Sequence, residues 1–169
     1  MLIRSARLEE IECLQSIGIE ADTRYLQSQH PEFCDGTSIP TSVAAKAIEQ
    51  QRLWVAEHQQ TPVGWIYVSR LHGEYCIGQI SVLTQHGQQG VGLALLQQAH
   101  ADARRRGEAS IVLVTQSDVP WCGPWYARMG YEAISQQAWS EAMQSEAQRQ
   151  QTDGLDWANR IIMRLNLKS

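Results

Sequence analysis

Ile80-Ser81-Val82-Leu83-Thr84-Gln85-His86-Gly87-Gln88-Gln89-Gly90-Val91-Gly92-Leu93-Ala94-Leu95-Leu96 passes from a strand-like pattern, through a glycine-marked turn, into an amphipathic helix. Upstream, Tyr75 to Leu83 has the pattern of a half-buried strand, with Ile80 and Val82 on one face. Downstream, Val91, Leu95, Ala99 and Ala103 recur at helical spacing with Leu96 beside them, and Arg104-Arg105-Arg106-Gly107 supplies cations and a capping glycine at the far end. Gly90 and Gly92 therefore fall at the helix's N-terminal turn. There the first amide N–H groups lack intrahelical acceptors and the helix dipole favours an anion. Without a Cβ, a glycine lets a phosphate oxygen approach the backbone. Read alone, the run fits both a pyrophosphate cradle and a plain strand-to-helix turn.

Working outward, Leu2 to Ala6 reads as a strand, followed by a helix with Ile11, Leu14, Gly18, Ala21 and Tyr25 on one face. A breaker-rich loop, residues 29–36, leads to a helix from Thr41 to Gln50 with Thr41 or Ser42 as its cap. Leu53 to Glu57 and Val63 to Leu71 are strands joined by residues 58–62, and His72-Gly73 turns the chain into the strand before the glycine run. Ser110 to Thr115 is a nearly continuous β-branched run, as expected of a buried central strand. A short helix around Trp125 to Met129, a strand at Tyr131 to Ile134, a helix over Gln137 to Gln150 and an edge-compatible strand at Arg160 to Leu167 complete the order. This succession predicts an α/β chain with a mixed sheet and helices on its faces.

The chain has 169 residues, suited to one domain over 1–169 with a sizeable core. With 14 Lys and Arg against 18 Asp and Glu, and one dense basic run at 104–106 placed where a helix C-terminus favours cations, nucleic acid is excluded as the expected partner. No run approaches a membrane span and no long apolar stretch follows Arg4, so the expectation is no membrane association, no signal peptide and a cytoplasmic location. Four cysteines, Cys13, Cys34, Cys76 and Cys122, stand apart without metal-ligand spacing, and they read as reduced thiols with no metal site. Trp121-Cys122-Gly123-Pro124-Trp125 has the form of a redox motif whose second thiol is replaced by tryptophan, which removes the resolving group. Tyr25, Phe33, Trp65, Tyr67 and Trp121 fit either core positions or the wall of a cleft.

Two segments together resemble the GNAT family of acetyl-coenzyme A dependent N-acyltransferases. One is the run at 80–96; the other is Asp118-Val119-Pro120-Trp121-Cys122-Gly123-Pro124-Trp125-Tyr126-Ala127-Arg128-Met129-Gly130-Tyr131. The resemblance implies a mostly antiparallel central sheet, splayed at the cofactor site, with helices on both faces. It further implies acetyl-coenzyme A as co-substrate, with no metal. The backbone of Ile80 and Val82 would meet the acetyl carbonyl and pantetheine amides, and the backbone N–H groups of Gln88, Gln89, Gly90, Val91, Gly92 and Leu93 would hold the pyrophosphate. Tyr126 would donate its phenolic proton to the departing thiolate. The expected reaction is direct acetyl transfer in a ternary complex to a primary amine of a small-molecule or amino-acid-like acceptor; the alternative is a non-catalytic acyl-coenzyme A binding sensor or interaction module. A homodimer stays open. Three positions depart from the family pattern: Gly87 stands where Arg or Gln usually opens the loop, Gln79 where a carboxylate often serves as base, and the Asn frequently found ahead of the tyrosine is missing. Glu74 and His72 fit either a water-mediated base or a solvated turn.

Overall fold

The computed structural model describes residues 1–167. Its strands are β1 (Leu2–Ser5), β2 (Leu53–His58), β3 (Thr61–Leu71), β4 (Glu74–Val82), β5 (Ser110–Gln116), β6 (Glu132–Ala133) and β7 (Arg160–Asn166). They form one sheet in the order β1-β2-β3-β4-β5-β7-β6. The helices are α1 (Ile11–Asp22), α2 (Thr41–Glu49), α3 (Val91–Arg105), α4 (Gly123–Arg128) and α5 (Glu141–Thr152). The ladders are antiparallel for β1 with β2, β2 with β3, β5 with β7 and β6 with β7, and parallel for β4 with β5. The chain divides into two compact units, Met1–Ser69 with Ile77–Asp102, and Arg70–Cys76 with Ala103 onward.

In the first unit, α1 turns Ile11, Leu14, Ile17, Gly18 and Ala21 inward. Ile11, Leu14 and Ile17 join a core with Ala6, Ile39, Ala44, Ala47, Leu53, Val55 and Trp65. Each large aliphatic or aromatic side chain buried there contributes about 1.5–3 kcal/mol. Trp65 is fully buried, and its indole N–H is satisfied by the Leu14 carbonyl at 2.7 Å. The α1 helix ends at Asp22 and continues as a 3₁₀ turn, Thr23–Gln27, so Tyr25 leaves the face expected of it and is half-buried in that turn. Pro40, with extended backbone, precedes α2 as its cap position in place of Thr41 or Ser42, and no side chain caps the helix. An ionic clamp ties the start of the chain down. Both oxygens of Glu10 meet Arg4 (2.6 and 3.0 Å), Arg7 adds its backbone N–H (2.9 Å) and guanidinium (3.1 Å), and Arg4 also donates to Glu57 (2.7 Å).

The β2–β3 hairpin closes through two residues, not the five expected. Gln59 (φ 48°) and Gln60 (φ 64°) both adopt the left-handed conformation that a tight primed turn needs, so the strands run on to His58 and from Thr61. Pro62 lies opposite Glu57 at a register shift, where its missing N–H costs the ladder little. His72 and Gly73, also at positive φ, close the next hairpin in the same way.

In the second unit, β5 pairs with β7 from Ser110↔Asn166 to Gln116↔Arg160, and with β4 at Tyr75↔Ile111 and Cys76↔Val112. Ile111, Val112 and Leu113 are buried, as a central strand requires. The closing strand β7 was expected to suit an edge; it lies inside, because the two-residue β6 pairs outside it through Glu132↔Arg164 and Ala133↔Met163. Met143 and Ala147 of α5 cover Leu71, Cys76, Val112, Trp157 and Ile162. The α5 helix starts at Glu141, later than expected. Residues Gln136–Ala138 form a 3₁₀ turn, and the Ser140 hydroxyl accepts the Met143 N–H at 3.2 Å, fixing the start.

Candidate functional site

The strand β4 delivers the first part of the site. Its parallel ladder with β5 occupies the first residues, Tyr75 and Cys76, and the strand runs on to Val82. Along that later stretch Ser81 is buried, while Ile80 and Val82 are half-buried on the opposite face. Gln79 shares the Ser81 face and donates its amide N–H to the Ser81 hydroxyl at 3.1 Å. As an amide it cannot accept a proton from an amine, so the departure noted in the sequence is chemical as well as formal.

After β4, a 3₁₀ turn over Thr84–His86 is closed by the His86 N–H on the Leu83 carbonyl (2.9 Å) and the Gly87 N–H on the Thr84 carbonyl (3.0 Å). Gln88 then takes a left-handed φ of 58° and Gly90 one of 82° before α3 begins at Val91. Alternating backbone conformations of this kind turn successive N–H groups toward one concavity and favour anions. A Cβ on Gly90 would meet nothing within 4 Å, so open space lies above the backbone where a phosphate oxygen would rest. The first bond of α3 is the Ala94 N–H to the Gly90 carbonyl at 3.0 Å. The N–H groups of Val91, Gly92 and Leu93 are thus the ones a helix start leaves for a ligand.

Side chains confirm how the loop is anchored. Val91 is buried and pins the helix start, whereas Gln88, Gln89, Gly90 and Leu93 are exposed and Gly92 is half-buried. Gln89 folds back, its amide N–H on the Gln85 carbonyl at 3.0 Å. No Lys or Arg occurs in residues 84–93, so negative charge there is met by backbone dipoles.

Tyr126 lies in the second unit, on α4. That helix starts hard against β5, since a Cβ on Gly123 would come within 2.8 Å of the Gln116 carbonyl oxygen, which only glycine tolerates. This close approach explains the Cys-Gly-Pro run better than redox chemistry does. The Tyr126 ring packs edge-on against Trp125 (4.9 Å) and Tyr131 (5.5 Å). Burial, with Cys122 and Cys76 adding to it, pushes the phenol above its ordinary value of 10. The group therefore keeps its proton through the neutral range and can act as a donor, not as a base. Cys122 is itself buried at the start of α4.

Glu74 is engaged by the Arg164 guanidinium at 2.8 Å, and His72 is exposed in its turn. Trp65 belongs to the core, and Tyr67 lies across Gly78; Tyr25 and Phe33 pack edge-on at 5.4 Å with His30 beside Phe33 at 5.5 Å. Two residues of interest escaped the sequence reading. Asp22 ends α1 half-buried, and burial, then the neighbouring Asp35 carboxylate, push its carboxyl up to about 6, with Arg24 opposing. A carboxylate in the last turn of a helix works against the dipole, and that was the available signal. Glu20, on the same helix, accepts the Thr84 N–H at 2.9 Å and the Thr84 hydroxyl. Sixty-four positions separate the pair, and no local pattern announces it.

Among the described residues no helix is long and apolar enough to cross a membrane, and no group of three or more His, Cys, Asp or Glu side chains could hold a metal ion. Residues 49–133, just over half of the chain, match the family model described as the acetyltransferase (GNAT) domain. The fold is similar to that of PaiA N-acetyltransferase from Thermoplasma acidophilum, solved with coenzyme A (TM-score 0.71, 13% identity, 98% of each chain covered). It is also similar to the ribosomal-protein-S18-alanine N-acetyltransferase of Escherichia coli (0.69, 16%, covering 99% of this chain and 94% of that one). A third likeness is to N-acetylglutamate synthase from Neisseria gonorrhoeae, solved with coenzyme A and N-acetyl-glutamate (0.70, 20%, covering 99% of this chain and 35% of that one).

Proposed function

Because the chain belongs to the GNAT acetyltransferase family, we propose that residues 1–169 act as one catalytic domain moving the acetyl group of acetyl-coenzyme A to a primary amine of a small-molecule or amino-acid-like acceptor. The observation that carries this reading is the loop at 84–93, with left-handed Gln88 and Gly90, open space above Gly90 and the free amides at the start of α3. These fit a pyrophosphate without a cationic side chain. The backbone of Ile80 and Val82 extends the same role toward the pantetheine amides, as an added strand meets a sheet edge.

In the reaction the amine nitrogen attacks the thioester carbonyl, the carbon–sulfur bond breaks, and Tyr126 donates its proton to the leaving sulfur before regaining one from water. The proton that leaves the amine passes to water, since the Gln79 amide in the strand before the loop cannot accept it. Holding both substrates together supplies much of the acceleration.

The non-catalytic alternative, an acyl-coenzyme A sensor, draws on Gln79, which cannot serve as a base. Turnover separates the two. Unfolding temperature is measured with and without acetyl-coenzyme A, where saturation at ~100 times Kd adds about 2.7 kcal/mol, and free thiol is then followed against a panel of amines. Binding with amine-dependent thiol release supports the transferase. Binding without release across the panel favours the sensor, and no binding at millimolar cofactor removes both.

A further inference from the structure

We infer that Glu20 is a positioning residue for the cofactor loop: reaching from α1, its carboxylate holds Thr84 and so sets the path of the backbone amides over residues 84–92. The inference rests on that loop being the pyrophosphate site of the proposed transferase.

The loop has few bonds to the rest of the fold. Its last tie to β3 is the Leu83 N–H on the Val63 carbonyl, at 2.9 Å. Beyond Leu83 the hydrogen bonds described are internal: His86 to Leu83, Gly87 to Thr84, and the Gln89 side chain to Gln85. Two elements reach into it: the His58 ring of β2 lies 5.6 Å from that of His86, and the hydrogen bond described from outside is made at Thr84, the first residue of the 3₁₀ turn. Both oxygens of Glu20 are used there, one on the Thr84 N–H (2.9 Å) and one on its hydroxyl. A carboxylate accepting two donors from a single residue fixes position and orientation together, and charge-assisted bonds of this kind are the stronger ones. Its base is rigid. Glu20 stands one turn beyond Ile17 and beside Ala21, both buried, on a helix whose Leu14 carbonyl accepts the Trp65 indole N–H.

A fixed path matters here for a specific reason. With no Lys or Arg in residues 84–93, no cationic side chain of the loop can follow a displaced phosphate, and the loop's own contribution depends on amides held in place beforehand. Gln88 at φ 58° is held in a conformation that persists only where its surroundings impose it. Releasing Thr84 relaxes that conformation and scatters the amides.

The test compares wild type with Glu20→Ala, Thr84→Val and Glu20→Gln by amide hydrogen exchange over 84–92 without ligand, by Kd for coenzyme A, and by KM and kcat with acetyl-coenzyme A. Glu20→Ala should speed exchange across the loop at least tenfold and raise Kd and the acetyl-coenzyme A KM about tenfold, with kcat within threefold. Thr84→Val should give part of the same effect, and Glu20→Gln, which keeps an acceptor for the Thr84 N–H, should recover most of it. The double variant should be no worse than Glu20→Ala, since both changes cut the same link. Unchanged exchange in Glu20→Ala overturns the inference, as does unchanged Kd in a protein whose wild type binds coenzyme A. Faster loop exchange in a protein whose wild type does not bind coenzyme A overturns the transferase reading while leaving Glu20 as the loop's anchor.

Discussion

Tyr126→Phe separates catalysis from stability in a way the geometry makes quantitative. The phenol is buried, and its ring contacts to Trp125 and Tyr131 survive in phenylalanine. Removing one hydroxyl while the ring stays packed should change the stability of the fold by no more than about 1 kcal/mol. The chemistry should move the other way. Loss of a donor aimed at charge growing on sulfur removes roughly 10²-fold in kcat, equivalent to about 2.7 kcal/mol of barrier. The assay is thiol release at saturating acetyl-coenzyme A and amine, with urea unfolding of both proteins in the same buffer. Because burial holds the phenol above 10, the wild-type rate should show no loss from this group up to about pH 10. A kcat within twofold of wild type refutes the donor role; a loss of more than ~2 kcal/mol of stability shows instead that the hydroxyl has a structural partner.

Acid should act first on the clamp around Glu10, whose carboxyl Arg4 and then Arg7 hold down near 2 against an ordinary 4.5. Its contribution is complete above about pH 4.5 and is lost as pH falls toward 2. The shift bounds it at ~3 kcal/mol, and screening at the partly exposed arginines leaves about 1–2. Glu10→Gln should therefore lower urea stability at pH 7 by that amount and flatten the loss between pH 4.5 and 2. Asp22 has the opposite sign: its folded-state carboxyl, raised from 3.8 to about 6, costs stability as pH rises through that window. Asp22→Asn should stabilise at pH 7 by about 1 kcal/mol after allowing for partial exposure, with no gain below pH 4. Urea unfolding of both proteins across that pH range checks it.

The parts of this molecule written in short range were readable from the chain. Val91, Leu95, Ala99 and Ala103 repeat at the period of a helix, and the glycines ahead of them mark its start, so α3 and its loop lie where the pattern puts them. The β-branched run at 110–115 likewise became the buried β5. Turns were less legible, because Gln59 and Gln60 carry no turn signal and yet take left-handed conformations. The start of α5 fell later than the reading from Gln137, because the Ser140 hydroxyl accepts the Met143 N–H and caps the helix there. Strand order has no local signature: alternation along β7 does not reveal that the two-residue β6 will cover it. The tie of Glu20 to Thr84 and the pairing of Asp22 with Asp35 exist only once distant segments meet.

The absence of Lys and Arg from residues 84–93 has a consequence for how the protein meets its cofactor. Fixed amide dipoles act over about one helical turn, whereas mobile cations reach across a Debye length of about 8 Å at physiological salt. In the transferase reading, this loop therefore adds little long-range steering to the encounter with a polyanionic cofactor. What the loop offers instead is short-range selectivity, since fixed dipoles reward an anion only once it rests against the amides.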